Sequence, residues 1–110
     1  MTFRQIKGML DETELPTVYY SWPNKKAPLL PYLVWYLPDT DNFAADDKVY
    51  QRINALNIEL YTEAKNFELE QTVEAVLDEW HMVWNKSESY LDSEHMYEVL
   101  YTMEVFINAQ

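Results

Sequence analysis

Residues 36–51, YLPDTDNFAADDKVYQ, place Asp39, Asp41, Asp46 and Asp47 in one short polar segment between two apolar runs. Such a segment is either a cation-binding loop or a β-hairpin connecting the runs, and the two choices give different folds. An EF-hand loop needs oxygen ligands at positions 1, 3 and 5, glycine at 6 and a bidentate glutamate at 12. Counted from Asp39, Asp41 meets position 3, but Phe43, Ala44 and Tyr50 stand at 5, 6 and 12. The segment therefore reads as a solvated hairpin joining two strands.

Working outward, LLPYLVWYL (Leu29–Leu37) is almost continuously apolar, as a strand covered on both faces requires. Pro31 lacks an N–H and belongs at the strand start or on an edge. On the other side of the hairpin, VYQRINALNIELYTE alternates, with Leu56, Ile58 and Leu60 facing one way and Asn57, Glu59 and Tyr61 the other. Upstream, Thr2 and Gln5 form a capping box before Phe3, Ile6, Met9 and Leu10, which predicts a helix over about residues 3–12. TVYYSW after Pro16 reads as a strand. Downstream, Asn66 is an N-cap, and Leu69, Val73, Val76, Leu77 and Trp80 form one apolar stripe, with Glu70, Gln71, Glu74 and Asp78 placed on the opposite side. MVWNKSESYL and HMYEVLYTMEVFI close the chain as two strands around DSE, the second alternating from Tyr97 to Ile107. The order α-β-β-β-α-β-β predicts one α+β domain over residues 1–110, a mostly antiparallel sheet packed against one main helix.

Composition narrows the chemistry. The only glycine, Gly8, leaves no material for phosphate-cradling loops, and the absence of cysteine removes thiolate sites and disulfides. The N-terminus does not resemble a signal peptide and no apolar run reaches bilayer-spanning length, so a soluble protein without membrane partners is expected. Nineteen acids against eight bases give a net charge of −11, which opposes specific nucleic-acid binding. From Asn66 onward Lys86 is the only base. His81 and His95 read as capping or surface residues, and no HExxH spacing is present. No Ser–His–acid group or pocketed carboxylate pair stands out, so neither catalytic residue, metal nor cofactor is expected. The aromatic surplus, including Tyr19, Tyr20, Trp22, Trp35, Tyr36, Trp80 and Trp84, suits a protein–protein interface.

The runs APLLPYLVWYLPDTDNFAADDKVYQRINALNIELYTEAKNFELEQTVEAVLDE and YLDSEHMYEVLYTMEVFI, with their order of elements, resemble the small head-to-tail connection proteins of long-tailed bacteriophages and prophages. Within that group the chain is most similar to the tail terminators, also called head-to-tail joining or minor capsid proteins. The resemblance implies a virion protein at the head–tail junction, assembled in the bacterial cytoplasm. It implies a homo-oligomeric ring, usually hexameric, with the tail tube protein and the head–tail connector protein as further partners. It also implies that the hairpin is a contact arm, with Leu37, Asp39, Asp41, Asn42 and Phe43 at its tip and Phe43 as apolar anchor. An acidic channel lining for passing DNA would draw on Glu70, Glu74, Asp78 or Glu98. The rival expectations are a head-completion protein, a small acidic adaptor or inhibitor that binds a basic host surface, and a carboxylate hydrolase.

Overall fold

The computed structural model describes residues 1–41, 43–45 and 48–107, with Lys25 and residues 43–45 and 48–51 described by their backbone alone. The chain opens with α1 (Phe3–Asp11), whose capping box forms as the sequence predicts. The Gln5 N–H donates to Thr2 Oγ1 at 3.1 Å, and the Thr2 N–H donates to Gln5 Oε1 at 2.8 Å. Ile6, Met9 and Leu10 are its buried face. β1 (Thr17–Tyr19) is shorter than the run TVYYSW suggests, because Tyr20 takes φ 70° and turns the chain out of the strand. β2 (Tyr32–Tyr36) starts directly after Pro31, the position a residue without an N–H can occupy.

β2 and the ten-residue β5 (Ile53–Thr62) pair antiparallel, and the pairing continues past Tyr36. The Ala55 N–H donates to the Asp39 carbonyl at 3.0 Å and the Asp41 N–H to the Ile53 carbonyl at 2.8 Å. Beyond this neck, β3 (Phe43–Ala45) and β4 (Lys48–Gln51) form their own antiparallel ladder with a bulge between Phe43 and Ala44. The described part of the opening segment is thus a hairpin arm. α2 (Phe67–Glu79), β6 (Asn85–Leu91) and β7 (Met96–Phe106) complete the chain. The fold is α+β in the expected order. Its main sheet has five strands in the order β1-β2-β5-β7-β6, antiparallel except for the parallel β1–β2 pair. Among the described residues no helix is long and apolar enough to cross a membrane.

Both helices lie on one face of this sheet. Leu56, Ile58 and Leu60 of β5 stand opposite Met103, Tyr101 and Val99 of β7, and all six are buried with Ile6, Met9 and Leu10 of α1 and Val73, Val76 and Leu77 of α2. Each such apolar side chain contributes about 1.5–3 kcal/mol when removed from water. The period of two in β5 and β7 and the helical stripe of α2 meet in this one layer. The other face carries Asn57, Glu59 and Tyr61 of β5 and Glu98, Leu100 and Thr102 of β7, and no helix covers it among the described residues. At β2 the preceding loop folds over it, with the Trp22 ring 5.5 Å from Tyr32 and the Tyr20 ring 5.8 Å from Tyr36.

α2 ends in a Schellman turn. The Met82 N–H reaches the Leu77 carbonyl at 2.9 Å and the His81 N–H the Asp78 carbonyl at 3.0 Å, with His81 at φ 60°. His95 takes φ 53° in the β6–β7 turn. The expected histidine positions at a helix end and beside a turn are therefore filled, by backbone geometry that favours glycine or asparagine. Substituting His81→Gly removes the left-handed strain and should stabilise the fold by about 0.5–1 kcal/mol, net of the added unfolded-state freedom. A rise in the urea midpoint at constant slope would register it.

Candidate functional site

The hairpin arm and the sheet surfaces are the places where this fold can meet another molecule. The arm's ladder pairs only with itself among the described residues, and the molecule is correspondingly elongated, 50 × 31 × 23 Å. Of the residues expected at its tip, Leu37, Asp39, Asp41 and the Phe43 backbone occupy other positions. Leu37 sits at the base, half-buried against the core, because the β2–β5 ladder carries it inward. Asp39 and Asp41 form the neck, their backbones bonded to β5 and their side chains exposed. Phe43 begins β3, with its Cα opposite that of Gln51, at the neck end of a ladder whose last described pair is Ala45 with Lys48. Asn42 and the Phe43 side chain lie outside the described residues.

The four acids considered as a channel lining do not share a surface. Glu70 is only 2% exposed, contrary to its expected place on the polar side of α2. It lies three residues before Val73 and seven before Leu77, which puts it at the margin of the apolar stripe, a helical spacing the sequence does contain. Its Oε2 lies 2.6 Å from Lys65 Nζ. Its Oε1 receives no hydrogen bond of good geometry, yet Lys86 Nζ stands 2.8 Å away, and Coulomb attraction at that distance persists whatever the angle. Burial pushes the Glu70 carboxyl up, but the two ammonium groups outweigh it and hold the group below its ordinary value of 4.5.

Glu74 belongs to the same network. Its Oε2 accepts from Lys86 Nζ and from the Tyr101 hydroxyl, each at 2.7 Å. Burial, then the Glu74 carboxylate, push the Tyr101 hydroxyl well above its usual range. Asp78 accepts the Trp84 indole N–H at 2.8 Å and remains exposed. Glu98 projects from the opposite face of the sheet, beside Tyr61. Glu70, Glu74 and Asp78 therefore lie on the helix side and Glu98 on the open side, with Glu70 already neutralised. The Lys65 and Lys86 partners were not anticipated from sequence. Their signal was the isolation of Lys86 among ten acids.

The open face holds a second polar network. The Asn57 side-chain N–H donates to the Tyr36 hydroxyl at 3.3 Å, and Tyr36 donates to Glu59 Oε2 at 3.3 Å. The Tyr61 hydroxyl lies 2.8 Å from Glu59 Oε1 and 3.0 Å from Glu98 Oε2. Toward the far end of β5 and β7, a trough of about 660 Å³ continues this face and runs over the β7 edge past the start of β6. Ala55, Thr102, Glu104, Phe106 and Val83 line it, and Val83 and Phe106 are exposed. Both sheet edges, β1 and β6, lack a further strand among the described residues, and β6 is exposed along almost its whole length. Lys86 and Glu88 on β6 guard that edge against indiscriminate pairing.

Part of the aromatic surplus is taken up in ring–ring contacts within the molecule, although Tyr19 and Tyr90 stay exposed. Tyr19 packs on Trp35, Trp84 on Tyr101 and Tyr90 on Tyr97, with ring centroids 4.8–5.6 Å apart and the rings steeply inclined to each other. Tyr20, at 69% exposure, is the most exposed aromatic ring of known burial. No protein-family model matches the chain, and no curated protein matches it.

Proposed function

We propose that this protein is a structural subunit of a long-tailed phage particle, a tail terminator that forms a ring at the head-proximal end of the tail, stops tail-tube polymerisation and joins tail to head. The observation that carries the proposal is the self-paired β3–β4 arm standing beyond the five-stranded sheet. An arm of this kind can reach a neighbouring subunit while the sheet edges β1 and β6 remain free for lateral contact. The resemblance of the runs at residues 27–79 and 90–107 to head-to-tail connection proteins supports reading that arm as an assembly contact. One heterologous contact, repeated cyclically, closes a ring, and a ring whose outer axial face does not match the tube protein stops further stacking. The role is non-enzymatic. The ring's partners are further copies of the chain, the tail tube protein and the head–tail connector protein. An acidic lumen would let DNA pass without adhering, and with Glu70 neutralised that charge has to come from exposed acids such as Asp78 or from the open face around Glu98.

The test is deletion of the gene in its phage or prophage, with electron microscopy of the induced lysate. Filled heads beside unattached tails of irregular, extended length are expected. Tails of normal length beside leaking or empty heads would transfer the protein to head completion, and intact infectious particles would overturn the structural role. Complementation with a chain whose residues 42–51 are replaced by a two-residue turn should fail to restore joining if the arm makes the contact.

A further inference from the structure

On the open face, the hydrogen-bond chain Asn57–Tyr36–Glu59–Tyr61–Glu98 can be completed only by one additional proton. Tyr61 has a single hydroxyl proton and two carboxylate oxygens within 3.0 Å. If both carboxyls were ionised, one of these oxygen–oxygen contacts would contain no hydrogen and would be repulsive. Tyr36 accepts from Asn57 and gives its own proton to Glu59 Oε2. A proton on Glu59 Oε1 then donates to Tyr61, and Tyr61 donates to Glu98. Every contact is satisfied in one direction.

We propose that Glu59 carries this proton, making the open sheet face a pH-sensitive surface that gains a negative charge and loosens when the proton leaves. Glu59 is the natural holder because it sits on β5, between β2 and β7, whereas Glu98 lies next to the edge strand β6. Burial raises the Glu59 carboxyl above its ordinary 4.5, and the Glu98 charge adds to this, against the opposing hydrogen bonds of Tyr61 and Tyr36. The other titratable groups facing the chain are Tyr32, whose ring lies 5.4 Å from Tyr61, and Glu94, which acts on Tyr32. None of the ion pairs among the described residues reaches Glu59 or Glu98, so within that set the shared proton is the counter-charge to the two carboxyls.

For a carboxyl raised in the folded state, the stability it contributes is complete below the unfolded value of 4.5 and is lost as pH rises through the folded value. Glu59→Gln mimics the protonated acid, since its amide can donate to Tyr61 and its oxygen can accept from Tyr36. E59Q should therefore melt at a higher temperature than the parent at about pH 8 and at nearly the same temperature at about pH 4. Side-chain carboxyl NMR of the intact protein is the direct measurement. The Glu59 carbon should titrate above 4.5, and Glu98→Gln should shift that midpoint downward by removing the like charge. A Glu59 midpoint at or below 4.5, or one unmoved by E98Q, would overturn the shared proton. So would an E59Q effect that does not vary with pH.

Discussion

Replacing Lys65 and Lys86 together by methionine should destabilise the protein by about 3–5 kcal/mol at neutral pH, the penalty for leaving a buried carboxylate without its partners. Methionine retains most of the apolar stem of each lysine, so the loss reports the ammonium groups rather than packing. The reason lies in the position of Glu70, at 2% exposure and flanked by both ammoniums at 2.6 and 2.8 Å. Those charges hold its carboxyl below 4.5, so their stabilisation is present above the unfolded value and disappears as pH falls through the folded one. The gap between parent and variant should accordingly be widest near neutrality and narrow in acid. Urea denaturation at two pH values measures it. Adding Glu70→Met to the pair should recover much of the loss, because an all-apolar cluster of similar volume avoids desolvating any charge. If the triple variant remained as weak as the double, packing rather than uncompensated charge would be responsible.

The second large effect separates two leucines of the same apolar run. Leu33→Ala should cost about 2–5 kcal/mol, a substantial part of the roughly 5–15 kcal/mol that holds a domain together. Leu29→Ala should change stability by no more than about 0.5 kcal/mol. Leu33 is fully buried within the core cluster, whereas Leu29 is 92% exposed in the loop before Pro31. Thermal unfolding of both variants under one set of conditions decides the matter, and comparable losses from both would refute the burial assigned to β2.

LLPYLVWYL reads as one uninterrupted strand because composition does not register where the sheet begins. Pro31 does register it: the strand starts at the next residue. Where signals are local, they carried through to the fold. The Thr2–Gln5 box, the Asn66 cap and the alternations of β5 and β7 each depend on residues only a few positions apart, and each formed as spaced. The same periodicity sorted the core, since period-two strands and a 3.6-period helix have only one way to bring their apolar sides together.

Elsewhere spacing was insufficient. Matching residues 36–51 position by position excluded an EF-hand, but the layout of the hairpin depended on how far β5 would pair back along the chain. That pairing drew Leu37, Asp39 and Asp41 into base and neck and left Ala45 opposite Lys48 as the last described pair of the arm. Along the chain Glu70 reads as one more solvated acid of α2; in the fold Lys65 and Lys86, from two other segments, close on it. Tyr36, Tyr61 and Glu98 belong to three strands, and only the register of β2, β5 and β7 places two carboxyls on one hydroxyl. Faces and caps follow from neighbours along the chain and could be read there. Burial of a charge, the reach of an arm and the sharing of a proton depend on groups from different elements, whose distances exist only once the sheet has assembled.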